Sequence, residues 1–188
     1  CCTAAVTKEI NGEITGSPSG IEFSPDGKKL FISSFTDKDI TQYTCTTGFD
    51  VGTCGNAVAF DVDATGETTR VNDVTFSTDG TKMFVTENAN NPNRVIQYAL
   101  STPWDISSGM SFGNTFNVGD QTSNAVGLQF NADGTKMYSS GYSSDYVTEW
   151  DLAKAFDLAN VTSTIGPEFN NLEGLTIDSS DNVVVVDK

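Results

Sequence analysis

The stretch FSPDGKKLFIS at positions 23–33 recurs as FSTDGTKMFVT from Phe76 and as FNADGTKMYSS from Phe130. Each copy places an Asp-Gly pair between two runs of strand-forming residues, which is typical of antiparallel strands joined by a tight turn. We therefore predict three hairpins in which the Asp-Gly pair supplies the positive φ angles of the turn. The pairs are Asp26-Gly27, Asp79-Gly80 and Asp133-Gly134.

The repeat extends well beyond the hairpin. After each copy comes another strand-like segment that aligns without gaps, as in ITQYTCTTGFDVGTC from Ile40 and VIQYALSTPWDISSG from Val95. A closing segment such as NAVAFDV from Asn56 brings the unit to four strands. The hairpin phenylalanines at positions 23, 76 and 130 lie 53 and then 54 residues apart. Four-stranded units at this spacing are typical of β-propeller blades.

We predict an all-β fold, a β-propeller of four-stranded antiparallel blades. About four blades are visible, because a degenerate fourth copy, LTIDSSDNVVVVDK, begins at Leu175. Residues 1–17 are predicted to be an N-terminal segment that forms an outer closing strand, and residues 18–188 the blade repeats. The predicted blades span about 18–70, 71–124 and 125–171, with a partial blade at 172–188. Two alternatives stay open: the ring closes within this chain, or another chain or segment completes it.

These repeats resemble a known group of proteins. GIEFSPDGKKLFIS and GLQFNADGTKMYSS resemble the blades of bacterial and archaeal surface propellers of the YVTN type, and IDSSDNVVVVDK is similar to an NHL blade. The resemblance implies a propeller on a secreted or surface protein. Such propellers serve adhesion, scaffolding, sugar-lactone hydrolysis and ligand binding, so the resemblance implies no particular catalytic residue.

The composition narrows the classes of partner. The chain has 10 Lys and Arg against 25 Asp and Glu, no His, and a net charge of −15. Binding to nucleic acid is disfavoured, because phosphates would be repelled. No run of about 20 apolar residues predicts a membrane span.

Cysteines depart from the repeat. Cys45 and Cys54 replace repeat residues in the first blade only, nine positions apart across a loop between two predicted strands. We predict that they form a disulfide, with two free thiols as the alternative, and hence an extracellular or cell-surface location, or the periplasm. Cys1 and Cys2 are candidates for an intermolecular disulfide or for lipid attachment, and internal pairing also stays open.

Catalytic and metal-binding patterns are weak. Without His there is no Ser-His-Asp or Cys-His arrangement, so we predict that the chain is not an enzyme. No cofactor is predicted, with calcium as the weaker alternative. The calcium candidates are Asp61, Asp63 and Thr65 in DVDATGE, although Asn72 stands where a bidentate Glu is required. The oxygen-rich loop ENANNPNRV from Glu87 is a similar candidate.

One aromatic position recurs in every blade. Trp104 is a candidate for stacking on a sugar ring, but its equivalents Phe49 and Phe156 favour a packing role, since a binding site usually breaks a repeat. In that interpretation each ring packs into its own blade. The following aspartates, Asp50, Asp105 and Asp157, then accept backbone hydrogen bonds.

The sequence favours a non-enzymatic extracellular propeller that acts as a structural or recognition module in a surface, appendage, filament or virion assembly. Its predicted partners are copies of itself or other protein subunits that pair at strand edges, because unpaired edge groups invite a second chain. A glycan is a further candidate partner. The alternatives are a propeller hydrolase or lyase that uses carboxylates, with or without calcium, and a periplasmic ligand-binding propeller.

Overall fold

A computed structural model describes residues 5–10, 13–62, 70–88, 93–143, 146–159, 161–168, 174–178 and 183–186. These residues form fourteen strands and one 3-10 turn at Val51–Thr53. The strands are β1 Pro18–Phe23, β2 Lys29–Ser34, β3 Asp39–Cys45, β4 Cys54–Asp61, β5 Val71–Phe76, β6 Lys82–Glu87, β7 Arg94–Thr102, β8 Asp105–Asn117, β9 Ala125–Phe130, β10 Lys136–Gly141, β11 Tyr146–Leu152, β12 Val161–Glu168, β13 Gly174–Ile177 and β14 Val183–Val186.

Every sheet is an antiparallel meander. Strands β1 to β4, β5 to β8 and β9 to β12 form three four-stranded sheets in chain order, which we call blades 1, 2 and 3. Strands β13 and β14 form a two-stranded sheet, the fourth sheet. The predicted all-β fold with four-stranded antiparallel blades is thus confirmed.

The predicted hairpin turns form with one difference. Gly27, Gly80 and Gly134 adopt φ angles of 69°, 69° and 71°, but the aspartates before them do not have positive φ. The aspartate carboxylate instead accepts a backbone N–H two residues later, as from Lys28 to Asp26 at 3.0 Å. A four-residue turn with glycine last needs only one left-handed residue, which explains the difference.

Aromatic rings join consecutive blades. Phe31 of blade 1 lies 4.4 Å, centroid to centroid, from Phe76 of blade 2. At the equivalent positions, Phe84 of blade 2 lies 4.4 Å from Phe130 of blade 3. Ring pairs at this separation stabilise an interface beyond the burial of their area. The blades therefore stack through one repeated apolar contact.

A polar contact accompanies each of these stacks. Gln42 of blade 1 accepts a hydrogen bond from the Ile106 N–H of blade 2 at 2.8 Å and donates to Asp105 at 3.2 Å. Gln97 of blade 2 accepts one from the Leu158 N–H of blade 3 at 3.3 Å. Since these backbone groups are buried, each glutamine satisfies a donor that would otherwise be unpaired.

The N-terminal segment lies against blade 1 at the place of a preceding blade's outer strand. The Lys8 ammonium lies 5.1 Å from the centre of the Tyr43 ring of blade 1. Between blades 1 and 2 the equivalent position is held by Phe60 of the outer strand β4, which lies 5.3 Å from Tyr98. Ile10 packs with Tyr43 in the same apolar cluster. Residues 5–10 contain no strand, and residues 1–4 and 11–12 lie outside the described part of the chain, so the outer strand expected within residues 1–17 stays a prediction.

Cys45 and Cys54 form a disulfide in blade 1. They are directly paired residues at the end of β3 and the start of β4, so the bond closes the loop between these strands. A cross-link between two residues that already face each other fixes the loop without rearranging the sheet.

Removing this disulfide should lower the stability of the chain. With Cys45 and Cys54 both changed to alanine, we expect the free energy of unfolding to fall by roughly 2–3 kcal/mol, since the unfolded chain regains the entropy of an open loop. Denaturant unfolding under non-reducing conditions measures this, and a variant with alanine at positions 1 and 2 is the control. Equal stability of all three proteins would contradict the prediction.

Candidate functional site

The first strands of blades 1, 2 and 3, which we call the inner strands, bring equivalent side chains to one cavity. Glu22 of β1, Thr75 of β5 and Gln129 of β9 each precede the hairpin phenylalanine of their blade. All three line a cavity of about 310 Å³. Since residues at matching positions of successive blades face the same side, the cavity lies on the inner-strand side of the blades.

The cavity has a polar wall and an apolar, aromatic rim. Asn131 adds a further polar side chain to the lining of the cavity. The aromatic residues of the lining include Phe76, Phe130, Trp104 and Phe156. Pockets with a few polar groups set among apolar and aromatic side chains are the usual form of small-molecule sites. Neither Lys nor Arg is among the described residues that line this cavity.

Asp73 lies next to Glu22, two residues before Thr75 on β5. Its carboxylate accepts hydrogen bonds from the backbone N–H of Leu128 and of Val74, both at 2.9 Å. A Cβ at Gly20 would lie 2.5 Å from Asp73 Oδ1, so glycine at that position makes room for the carboxylate. Asp73 is therefore fixed between the inner strands of three blades.

The two carboxyls have unusual acidity. Burial and, to a smaller extent, the charge of Asp73 together raise the pKa of Glu22 from 4.5 to about 7. Burial likewise raises the pKa of Asp73 from 3.8 to about 7, against the effect of its two backbone hydrogen bonds. Carboxyls that titrate near neutral pH are suited to general acid–base chemistry and are frequent in active sites.

A second cavity adjoins the first at the hairpin tips. It has a volume of about 500 Å³ and shares Pro25 and Trp104 with the first cavity. Lys28 and Lys29 lie on its wall. The two cavities thus differ in charge, since only the second contains cationic side chains among its described lining residues.

The structure shows where the predicted sugar-binding aromatic lies. Trp104 lines both cavities, but its indole ring also covers Gly80 of its own hairpin. The backbone N–H of Trp104 donates to the Gly80 carbonyl at 3.0 Å. Phe49 and Phe156 make the same hydrogen bond to the equivalent glycines. Asp105 accepts the Ser107 N–H at 2.9 Å, as the packing interpretation requires. Sugar binding by Trp104 remains a prediction.

The calcium and cysteine candidates are only partly described. Asp61 ends β4 opposite Asp39. Asp63, Thr65, Cys1 and Cys2 lie outside the described residues. Across the described part of the chain, no group of three or more His, Cys, Asp or Glu side chains could hold a metal ion.

The oxygen-rich loop begins with an ion pair. The buried Glu87 carboxylate forms an ion pair with Arg94, with an Nη2–Oε2 distance of 2.6 Å, and also accepts a hydrogen bond from Arg94 Nε. The two residues face each other across β6 and β7. Glu87 therefore has a cationic partner within its own blade.

Sequence reasoning missed Glu22 and Asp73, although a signal was present. Aligned on the hairpin, Asp73 occupies a position that is glycine in the other copies, namely Gly20, Gly127 and Gly174. At this one position blade 2 carries a carboxylate where the other copies carry no side chain. A search of the aligned repeats for positions that differ in a single copy would have identified Asp73.

The chain matches no protein-family model and no curated protein. In the described residues there is no helix of the length and apolarity that a bilayer span requires.

Solved structures share the fold at low sequence identity. A proposed 6-phosphogluconolactonase from Bacteroides uniformis matches with a TM-score of 0.63 and 14% identity over 97% of this chain and 50% of that chain. A nidogen/laminin complex matches with a TM-score of 0.61 and 14% identity over 90% and 56%. Luciferin-regenerating enzyme matches with a TM-score of 0.56 and 18% identity over 92% and 56%. The chain therefore spans about half the length of these structures.

These matches correct one prediction and leave another unresolved. The prediction that the chain is not an enzyme is contradicted, because propellers of this fold include proteins named as enzymes. The absence of His was a poor criterion, since carboxyls also act as acids and bases. The specific resemblance to YVTN and NHL blades remains a prediction. At these identities the shared feature is the fold, and the chain has a β-propeller fold.

Proposed function

We propose that the chain carries a hydrolytic site for an ester or lactone, in which Glu22 is the general base. The observation that supports this proposal is the Glu22 carboxyl, which lines the cavity and has a pKa raised to about 7. At neutral pH such a carboxyl is ionised in about half of the molecules and is a stronger base than an ordinary carboxylate. It can therefore take a proton from water without any imidazole.

In the proposed reaction the ionised Glu22 removes a proton from a water molecule as its oxygen attacks the substrate carbonyl carbon. The carbonyl oxygen of the tetrahedral intermediate carries the negative charge. When the intermediate collapses, the bond to the leaving oxygen breaks, and the protonated Glu22 returns its proton to that oxygen. The Gln129 amide, which also lines the cavity, is the proposed donor to the oxyanion.

Asp73 acts as a positioning residue in this proposal. Its carboxylate binds two backbone N–H groups and is absent from the cavity wall, so it does not touch the substrate. Its negative charge raises the pKa of Glu22. The base strength of Glu22 therefore depends on a carboxylate of the neighbouring blade.

The proposed substrate is a neutral sugar lactone. The hydroxyl of Thr75 and the amides of Gln129 and Asn131 suit a ring that carries several hydroxyl groups, and the Trp104 face suits its C–H surface. One matching structure is named as a proposed 6-phosphogluconolactonase. For this chain we favour an unphosphorylated lactone, because its net charge is −15 and the described wall of the cavity holds no cationic side chain.

A panel of aldonolactones tests the proposal. The release of acid from a neutral lactone and from its 6-phosphorylated form is followed with the purified chain, with added calcium and with a chelator, beside the Glu22→Gln variant. We expect turnover of the neutral lactone above the spontaneous rate, slower turnover of the phosphorylated one, and loss of turnover in the variant. Turnover that Glu22→Gln leaves unchanged would contradict the proposal.

Binding without turnover is the second candidate function. The same cavity could retain a sugar without reacting with it, as in a periplasmic ligand-binding propeller or a glycan-recognising surface module. The disulfide supports an extracellular or periplasmic location for either function. Calorimetry with a non-hydrolysable sugar distinguishes the candidates, since binding in the absence of any lactone turnover would favour recognition.

A further inference from the structure

The second cavity lies where blades 1 and 2 meet at their hairpin tips. Blade 1 contributes Lys28, Lys29 and Thr44 to its wall, and blade 2 contributes Pro103 and Trp104. Its volume of about 500 Å³ is within the range of small-molecule sites. Blade 1 therefore supplies the cationic side chains of this cavity, and blade 2 supplies the aromatic one.

Three residues of this cavity interrupt the repeat. Lys28, Cys45 and Trp104 each differ from the residues at the same position in the other two blades, which agree with each other. Those residues are Thr81 and Thr135, Leu100 and Leu152, and Phe49 and Phe156, in that order. A residue that serves only the blade fold tends to recur in each copy. Since three departures meet at one cavity, this hairpin tip differs in kind from the other two.

The lysine at position 28 adds a charge that the turn does not use. In blade 2 the Thr81 hydroxyl at this position donates to Asp79 at 2.8 Å, within the turn. Lys28 keeps only the backbone part of this contact, since its N–H donates to Asp26 at 3.0 Å. The turn is thus formed by the backbone, while the Lys28 side chain is exposed on the wall of the cavity.

Lys29 has weaker ion pairs than its equivalent in blade 3. That residue, Lys136, pairs with two carboxylates of its own blade. The corresponding positions of β3 hold Gln42 and Thr44, which are neutral. Lys29 Nζ donates to Thr44 Oγ1 at 3.2 Å and lies 3.9 Å from Asp105 Oδ2, at the outer limit of an ion pair. Lys29 is therefore only partly neutralised by its surroundings.

The equivalent lysine of blade 2 bridges the next pair of blades. Lys82 reaches blade 3 and donates to the Phe156 backbone carbonyl at 2.5 Å. Lys29 instead donates to Thr44 of its own blade, and no such bridge joins it to Trp104 in the described chain. The space between blades 1 and 2 is therefore open to a ligand.

The wall of the second cavity favours a singly charged acidic ligand. Its described residues carry two ammonium groups and one carboxylate, that of Asp26, whereas the whole chain has a net charge of −15. The rest of the chain repels a dianion such as a phosphate ester more strongly than a monoanion such as a carboxylate or a sulfate ester. The Trp104 indole offers an apolar face for the C–H surface of a sugar ring.

We propose that the second cavity binds an acidic saccharide. The carboxylate or sulfate ester of the sugar lies between Lys28 and Lys29 and accepts hydrogen bonds from their ammonium groups, while the sugar ring packs on Trp104. This binding does not depend on Glu22, which lines the first cavity and not the second. The proposal therefore stands apart from lactone hydrolysis.

A fluorescence titration with defined glycosides tests the proposal. Of the two tryptophans, Trp150 is 2% exposed, so Trp104 is the one that a ligand in the cavity contacts. We expect methyl glucuronide and methyl glucoside 6-sulfate to bind, with affinities that fall as salt is added. Methyl glucoside, which lacks the charge, should bind roughly tenfold more weakly. Inorganic sulfate, which lacks the ring, should also bind more weakly than the sulfated sugar.

Two lysine variants assign the charge to the cavity. Lys28→Thr introduces the residue of the other hairpins and should weaken binding of both acidic glycosides roughly fivefold, with an unchanged melting temperature. Lys154→Thr removes the same charge from a side chain that is 77% exposed in blade 3, and it is the matched control. Its affinity for the acidic glycosides should equal that of the parent chain.

Four results would each overturn the proposal. They are equal affinity for acidic and neutral glycosides, an affinity that Lys28→Thr leaves unchanged, an equal loss in Lys154→Thr, and binding of inorganic sulfate as tight as that of the sulfated sugar. The last of these would indicate an adventitious ion only. Glu22→Gln should bind the acidic glycosides as the parent chain does, so this result is separate from that of the lactone assay.

Discussion

Replacing Glu22 by glutamine should lower kcat/KM for a neutral lactone by roughly 10²- to 10⁴-fold, the range of a lost general base. The amide has the same size and can still form hydrogen bonds in the cavity, but it cannot remove a proton from water. Substrate binding should therefore change little. Initial rates at several substrate concentrations separate the two effects, and the Asp151→Asn variant, at an ion-paired carboxylate of β11, is the control.

The pH dependence gives this prediction a second measurement. Because a base must be ionised, activity should rise with pH through a midpoint near 7, the raised pKa of Glu22. In Asp73→Asn the negative charge beside Glu22 is lost, so the pKa of Glu22 falls and the midpoint should move to lower pH. A midpoint unchanged in Asp73→Asn would contradict the electrostatic coupling of the two residues.

The same two carboxyls should make stability depend on pH. Their pKa values rise from 4.5 and 3.8 in the unfolded chain to about 7 in the folded one, so the folded state binds more protons between these values. The contribution of these two groups to stability should therefore fall as pH rises from about 4 to about 7, and stay constant above. Glu22→Gln should reduce this dependence.

Replacing Gly80 by alanine should have the largest effect on folding, a loss of roughly 2–4 kcal/mol. Gly80 adopts a φ of 69°, which is costly for alanine, and a Cβ there would overlap the indole ring of Trp104. The ring would have to leave Phe76 of its own blade, at 4.8 Å, and Phe31 of blade 1, at 6.5 Å, so the interface between blades 1 and 2 would also weaken. Thermal and denaturant unfolding measure the loss.

Gly55→Ala is the matched control for that substitution. A Cβ at Gly55 would meet no heavy atom within 4 Å, so its effect should stay within about 0.5 kcal/mol. Equal losses in the two variants would show that the Trp104 contact contributes nothing. A loss confined to Gly80→Ala would show that the left-handed turn and the Trp104 ring together require glycine at position 80.

The repeated elements of the fold were predictable from the sequence, because each depends on local chemistry. Asp26-Gly27 and its copies specify turns, and alternation of apolar residues specifies strands with buried faces. The spacing of Cys45 and Cys54 across one loop was sufficient to predict their bond. The conformation of Asp26 was predicted wrongly, because the same dipeptide serves two turn types that differ in one φ angle.

The candidate site was not predicted, because it depends on contacts between blades. Nothing near Glu22 in the sequence indicates that Asp73, about one repeat later, lies beside it. Burial, which raises both pKa values, is likewise a property of packed blades. Motif searching looks for residues close in sequence or for His, and a pair of acids on neighbouring inner strands satisfies neither criterion.

Meander topology has a consequence for how the chain folds during synthesis. Each blade pairs only strands that are consecutive in sequence, so its backbone ladder closes without waiting for distant residues. Blade 1 can fold once residues up to Asp61 have left the ribosome, and it then offers Phe31 and Gln42 as a template for the next blade. Assembly of these blades can therefore proceed in chain order, from blade 1 to blade 3, and a partly synthesised chain exposes an apolar face at its growing end.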